Sequence, residues 1–213
     1  MATHVDWQQE TRRYDRPHPR LVLMAGLLRE LPQRRLLDVG CSTGALRDLL
    51  PPEFEYFGCD IADHARATLG AERFQQLDFN RDQDLSAFVP QRIDAVHIGG
   101  VLEYLERPER LLASVRELVP AGGALVLSII NFEAQRYQTS AAHHAGWIYK
   151  PSLDECRDLL QGQRFAILRQ LAFVGKPGVR GWWRTRRANA RGVDDRWTRR
   201  HAQQFVIVAR AAA

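Results

Sequence analysis

The stretch that most constrains this chain runs from Arg35 to Leu46: Arg35-Leu36-Leu37-Asp38-Val39-Gly40-Cys41-Ser42-Thr43-Gly44-Ala45-Leu46. A short apolar run meets an acid, breaks at glycines and small residues, then resumes with helix-forming character. That pattern predicts a strand, a tight turn and the start of a helix running from about Gly44 to Leu50, ended by Pro51-Pro52. Such a turn offers free backbone N–H groups, and a following helix would add the positive end of its dipole, so a nucleotide or amino-acid moiety suits it. The order of acid and glycines matters. A dinucleotide fingerprint reads G-x-G-x-x-G with its acid one strand later. Here Asp38 precedes Gly40 by two residues and Gly44 follows four residues on, a spacing that argues against a nicotinamide dehydrogenase.

Downstream, strand and helix patterns alternate. Predicted strands cover Glu55 to Cys59 (closed by Asp60), Arg73 to Leu77 (closed by Asp78), Arg92 to Ile98, Ala124 to Ile130, Phe165 to Val174 and Phe205 to Ala209. Between them lie predicted helices at about Asp63 to Leu69, Leu85 to Val89, Pro108 to Val119, and from the capping-box pattern Ser152-Leu153-Asp154-Glu155 through Leu160. Upstream, Leu21, Leu23, Met24, Leu27, Leu28 and Leu31 have helical spacing, and this helix is expected to cover one edge of the sheet. The rhythm predicts an α/β fold: a mostly parallel sheet with helices on both faces. With no repeat and no linker-like break, the expectation is one domain over 1–213. An arm and helix occupy 1–34, a core 35–174, a basic connection 175–202, and the last strand and tail 203–213.

Charge bears on possible partners. The chain carries a net +5, yet nine basic residues against Asp194 and Asp195 give the segment from Lys176 to Arg200 alone +7, leaving −2 on the remainder. That segment also holds Trp182-Trp183 and Trp197. Arginine interleaved with tryptophan suits phosphates, stacked bases, anionic carbohydrate or a lipid headgroup. The alternative is an exposed arginine-rich hairpin whose tryptophans pack back onto the body. Only Lys150 and Lys176 among the 30 basic residues are lysines, so arginine preference is chain-wide and marks no single site. Cys41, Cys59 and Cys156 have no metal-ligand spacing and read as buried thiols; no metal is expected. No apolar run reaches membrane-span length and the first residues do not read as a signal peptide, so the cytoplasm is the expected compartment.

At Asp38-Val39-Gly40-Cys41-Ser42-Thr43-Gly44 the chain resembles motif I of the class I S-adenosylmethionine (SAM)-dependent methyltransferases, with Ser42 where the family usually has a third glycine. The resemblance runs from about Leu36 to Val174 plus the last strand, and Ser128-Ile129-Ile130-Asn131-Phe132 extends it toward bacterial methionine-biosynthesis-type and ubiquinone-type members, with Ile130 replacing their proline. It implies a Rossmann-like seven-stranded sheet whose last strand inserts antiparallel beside the fifth. It further implies that Gly40, Cys41, Ser42 and Gly44 embrace the methionine moiety, while Asp38 fixes the loop or meets the ammonium group. Asp60, with Ile61, would hold the ribose, and Asp78 and Phe79 the adenine. The residue-level alternatives are an N-cap role for Asp60 and a turn Asp beside a core Phe for Asp78-Phe79. Gly99 and Gly100 would give room to the methionine end of SAM. Tyr104 stands where related sequences have a His, so no role of that His transfers.

For a general base the candidates are His97, His143 and His144. A satisfied core histidine ranks ahead of a base for His97, and solvated loop residues rank ahead for the pair. Trp7 and Tyr14 could close over SAM or simply pack as a surface arm. The reading is a SAM-dependent methyltransferase, with S-adenosylhomocysteine (SAH) as product. Its acceptor is expected to be small or medium-sized and anionic, with transfer to O or N ahead of C. An RNA- or nucleotide-modifying enzyme using the basic connection ranks second, and a non-catalytic SAM-binding protein third. Oligomeric state is not legible.

Overall fold

The computed structural model describes residues 7–10, 18–134, 146–175 and 178–213. Seven strands form one sheet in the order β3-β2-β1-β4-β5-β7-β6. They are β1 (Arg35–Val39), β2 (Glu55–Asp60), β3 (Phe74–Gln76), β4 (Ala95–Gly99), β5 (Ala124–Ile130), β6 (Phe165–Phe173) and β7 (Gln204–Ala211). The first five run parallel, and β7 lies antiparallel between β5 and β6. The expected Rossmann-like architecture is present, antiparallel last strand included. All seven residues of β5 are buried, as a central strand covered on both faces requires.

Alternation sends successive side chains to opposite layers. Leu37, Val39, Val96, Ile98, Leu125, Leu127 and Ile129 join the larger core, which α4 (Pro108–Leu118) closes through Leu111, Leu112 and Val115. On the same side α5 (Leu153–Gly162) contributes Leu153, Cys156 and Leu160, and its capping box is complete: Ser152 Oγ accepts from Glu155 N (3.1 Å) while Glu155 accepts from Ser152 N (2.7 Å). Leu36, Ala95, Val126, Val206 and Val208 face the other way and are covered by α2 (Pro19–Glu30) through Met24, Ala25, Leu27 and Leu28. Helix α2 therefore lies over the middle of a sheet face, not over an edge as its sequence suggested. Its apolar stripe meets four central strands, which offer more surface than an edge.

The sequence overestimates several elements. No α-helix follows the glycine turn: only a 3-10 turn, Arg47–Leu49, fits between Gly44 and Pro51-Pro52. Six residues are too few to nucleate a stable helix once prolines follow, so the dipole expected there is missing. Helix α3 is reduced to Arg66–Leu69, stopped by Gly70 at φ +80°. The Leu85 region forms a 3-10 turn, Ser86–Gln91, and β4 begins at Ala95 because Arg92 adopts a left-handed conformation (φ 50°).

The basic connection is not a hairpin. It forms α6 (Val179–Arg191) and α7 (Arg196–His201), separated by Gly192 and capped by Asp195, which accepts from Trp197 N and Thr198 N. Arginine and alanine favour a helix once its inner face has a seat. Thr185 Oγ1 accepts from Val174 N (3.1 Å), and Asn189 exchanges two bonds with the backbone of Ala172 (2.8 and 3.0 Å), seating α6 along β6. Of the tryptophans, only Trp197 packs back, stacking on His201 at 4.5 Å; Trp182 and Trp183 stay exposed. At the N-terminus the described piece of the arm is one turn, α1 (Trp7–Glu10).

Candidate active site

The sheet order reverses between β1 and β4, and ligands of open α/β sheets bind outside the carboxyl ends of strands at such a point. There β4 ends in Gly99 and β1 is followed directly by Gly40. Gly40 takes φ +73°, and a Cβ on it would come within 2.3 Å of Val101 Cγ2, so only glycine lets the turn after β1 press against the segment after β4. Gly40 and Cys41 donate to Cys59 O (2.8 and 3.1 Å), and Gly44 N closes the turn onto Cys41 O (2.8 Å). Ser42, where a glycine was expected from the resemblance, holds a left-handed conformation at φ 52°, and its Oγ is buried without a hydrogen-bond partner. The side chain of Cys41 points away from the turn onto Gly58, where a Cβ would lie 2.7 Å from its Sγ. Burial pushes that thiol well above its ordinary pKa.

Asp60, at the end of β2, is buried and reaches across to the turn. Its Oδ2 accepts from Ser42 N (2.8 Å) and its Oδ1 from Ala62 N (2.9 Å). Each carboxylate oxygen offers about two acceptor sites, so one per oxygen remains for a ligand with two hydroxyls. Burial raises the pKa of this carboxyl, and the two N–H bonds oppose the rise. Ile61 follows, its carbonyl accepting from Gln76 Nε2 (2.9 Å).

Asp38 sits deeper. Its carboxylate accepts from the Tyr56 hydroxyl and pairs with His97 Nδ1 (2.6 Å), while His97 Nε2 meets Met24 Sδ at 3.2 Å. All four side chains are buried, so His97 is sealed beneath α2 with both ring nitrogens engaged and has no route to an acceptor. Asp38 fastens β1 to β2 and β4 through these two partners. His143 and His144, the other base candidates, lie outside the described residues, as does Tyr14.

Asp78 and Phe79 have the geometry of a turn. Asp78 accepts from Asn80 N (3.1 Å) and pairs with Arg81 (3.4 Å); the Phe79 ring belongs to the larger core, so it has no open face to lay on a base. The expected ring contact is thereby corrected: only backbone around Phe79 is available to an adenine. Asn80 ties this loop to the far side of the cleft, donating to Tyr104 O and accepting from Glu106 N, both at 2.9 Å.

Several residues at this end of the sheet went unassigned in the sequence. Arg20, in the first turn of α2, donates to Gly99 O (3.3 Å) and Gln204 Oε1 (3.2 Å), while its Nε is buried without a partner. A Cβ on Gly100 would lie 2.8 Å from Arg20 Nη1, so the expected open space beside Gly99-Gly100 is where this guanidinium lies. Glu103 is fully buried; its Oε1 accepts from Ile130 N (2.5 Å), its Oε2 has no partner, and burial raises its pKa with the Ile130 N–H and the charge of Arg20 opposing. Asn131 donates to Arg199 O (2.6 Å) and Ala202 O (3.0 Å), locking the end of β5 to α7. Above the cleft, the Trp7 ring meets Tyr104 edge to face at 4.6 Å, and Gln8 O lies 2.9 Å from His64 Nε2. Helix α1 thus bridges the segments that follow β2 and β4. Among the described residues no group of three or more His, Cys, Asp or Glu side chains could hold a metal, and no helix is long and apolar enough to cross a membrane.

A reversed strand between the fifth and sixth, a glycine turn after β1 and an acid after β2 bonded to that turn define the class I methyltransferase type of Rossmann-like fold. Comparison with known proteins agrees. A family model described as a methyltransferase domain matches residues 37–125. Ubiquinone biosynthesis O-methyltransferases are similar: that of Coxiella burnetii is 30% identical over 122 residues (54% of this chain, 52% of the relative), and that of Azotobacter vinelandii 28% over 115 residues (50% and 49%). An uncharacterized Synechococcus protein is 34% identical over 157 residues, 69% of this chain but 34% of its own length. The chain thus spans between a third and about half the length of the curated relatives it matches. In fold, a SAM-dependent methyltransferase from Archaeoglobus fulgidus superposes with TM-score 0.63 at 16% identity, covering 97% of this chain and 100% of that one. A Burkholderia thailandensis N1-methyltransferase with bound SAH superposes with TM-score 0.62 at 14% identity, covering 97% and 84%. The chain thus has the fold of the class I SAM-dependent methyltransferases, and its residues 37–125 match the methyltransferase-domain family.

Proposed function

We propose that the protein transfers a methyl group from SAM to a small or medium-sized anionic acceptor, at oxygen or nitrogen. The observation that carries this is the Asp60 carboxylate fastened to the backbone N–H of Ser42, with one acceptor site per oxygen left over, at the point where the strand order reverses. The residues fit SAM. The turn Gly40–Gly44 would take the methionine end, Asp60 the two ribose hydroxyls, and Ile61 and the backbone at Asp78-Phe79 the adenine. Arg20 supplies the positive charge that the α-carboxylate needs, beside the carbonyl of Gly99, which suits the ammonium group. Bound SAM supplies a methyl carbon on a sulfonium, already carrying a good leaving group.

What remains for the protein is alignment and exclusion of water. The bridge from Trp7 to Tyr104 and from Gln8 to His64 closes the cleft from above. The packed Glu103–Ile130 and Asn131–Ala202 bonds fix the floor where an acceptor would rest. The sealed positions of His97 and Glu103 support a reaction in which a described side chain orients an already nucleophilic acceptor. An anionic acceptor, such as a carboxylate or a phenolate, needs no base. Calorimetric titration with SAM, SAH and NADH tests the cofactor: SAM and SAH should bind and NADH should not. SAM binding unaltered in Asp60→Ala would show that the ribose site has been misplaced.

A further inference from the structure

Helix α6 presents a face that the proposed reaction does not use. Its inner side is seated on β6 by buried Gly181 and Ala188 and by the Thr185 and Asn189 bonds. Its outer side carries Val179, Trp182, Trp183 and Arg186, residues spaced so that they share one surface of a helix. Val179 is 72% exposed, Trp182 54% and Trp183 58%. Solvent-exposed indoles next to each other are unusual on a protein surface without a partner. Around them α6 holds Arg180, Arg184, Arg186, Arg187 and Arg191 and no acid. Arg191 is paired with Asp195 and Arg187 lies over Trp197; Arg180, Arg184 and Arg186 have no ion-pair partner among the described residues.

We propose that α6 docks the protein on an anionic lipid bilayer. The chemistry is that of an interfacial helix: indoles and a valine that can enter the headgroup boundary, beside guanidiniums that meet lipid phosphates. Charge complementarity selects an acidic surface, and the indole geometry selects lipid over single-stranded nucleic acid. Trp182 and Trp183 stand edge to face (4.8 Å, 78°), and Arg186 already covers Trp182 at 5.4 Å. They make no platform of two parallel rings for successive bases. Because β6 and β5 are both antiparallel to β7, they run in the same direction, so α6 starts at the sheet end that bears Gly40 and Gly99. Docking needs neither SAM nor an acceptor, so it stands or falls apart from the methyltransferase reading.

The test is flotation of the full chain with vesicles of phosphatidylcholine containing about one third phosphatidylglycerol, against phosphatidylcholine alone. Binding to the acidic vesicles alone is expected, weakening as salt rises, with a blue shift of tryptophan emission. Trp182→Ser/Trp183→Ser should lower partitioning at least tenfold and abolish the shift. Arg180→Gln/Arg184→Gln/Arg186→Gln should lower partitioning at least tenfold. Arg73→Gln/Arg110→Gln/Arg210→Gln removes as many charges elsewhere and should change it less than twofold. All eight targets of the helix and control variants are solvent-facing or half-buried, and circular dichroism checks that each folds. Absence of flotation with acidic vesicles, equal binding to neutral ones, equal effects of the two arginine triples, or capture by a single-stranded RNA in place of vesicles would each overturn the proposal.

Discussion

Replacing Ser42 by glycine should make this protein more stable, and the size of the gain follows from its surroundings. A non-glycine residue in the left-handed region costs about 1–2 kcal/mol, and Ser42 sits there at φ 52°. Its buried hydroxyl has no partner, which adds about 1 kcal/mol of desolvation at the low end of the usual range. Glycine returns about 0.4–1 kcal/mol of this through the greater freedom of the unfolded chain. The net gain is about 1–2.5 kcal/mol, or about 2–10 °C in Tm for a chain of this length. Thermal melts of wild type, Ser42→Gly and Ser42→Ala separate the contributions. Alanine removes the hydroxyl but keeps the strain, so it should fall between the other two. If glycine lowers Tm, or alanine exceeds glycine, the left-handed strain is not what the backbone implies. The same variants report on the cofactor. An orphaned hydroxyl in the proposed methionine pocket should find its partner in SAM, so both should bind SAM about fivefold more weakly while melting higher without it.

Other consequences are equally direct. Arg20→Gln should weaken SAM and SAH at least tenfold but leave 5′-methylthioadenosine, which lacks the amino-acid end, within twofold. Unchanged SAM affinity with a raised KM for the acceptor would move Arg20 to the acceptor side. Asn131→Ala removes two bonds that hold β5 to α7 and should cost about 2 kcal/mol, read as a fall in urea midpoint without a change of slope. Burial raises the folded-state pKa of Glu103, so the folded chain holds this proton at pH values where the unfolded chain has released it. Its contribution is neutral below the unfolded value near pH 4.3. Above that it lowers stability as pH rises to the folded pKa, then stays constant. Glu103→Gln should abolish that pH dependence in denaturant melts taken from pH 4 to 8 and be the more stable protein at the upper end. A wild type that gains stability as pH rises through that window, relative to Glu103→Gln, would contradict the sign.

Much of the scaffold was legible because parallel strands buried on both faces must be written as apolar runs. Leu36 to Val39, Ala124 to Ile130 and the acids or glycines that end such runs left little freedom in reading β1, β4 and β5. The turn Gly40–Gly44 was legible for the same kind of reason, since positive φ and close approach leave marks in composition. Length was not. Six residues between Gly44 and Pro51 look helical in type, but cooperativity decides whether they form a helix. Helix α6 hid because its seat is made of Gly181, Thr185, Ala188 and Asn189, so no apolar stripe advertises an inner face, while its tryptophans point outward. Arg20 was one basic residue among 30, and only the packing of α2 over the sheet brings it to Gly99. Phe79 misled in the opposite sense. An aromatic beside a plausible ligand residue invites a stacking role, and the ring turned out to fill the core.

The pair of bonds between Asn189 and Ala172 reaches beyond seating α6. Strand β6 is the last in the sheet, and its outer N–H and C=O groups are a template on which another chain could add a strand. Asn189 occupies both such groups of Ala172, and the irregular register between Ile167 and Arg169 breaks the straight run that a second strand would need. One amide side chain therefore acts as a stopper against sheet extension. Asn189→Ala should betray this through association rather than unfolding: light scattering that grows with protein concentration at temperatures well below the melt.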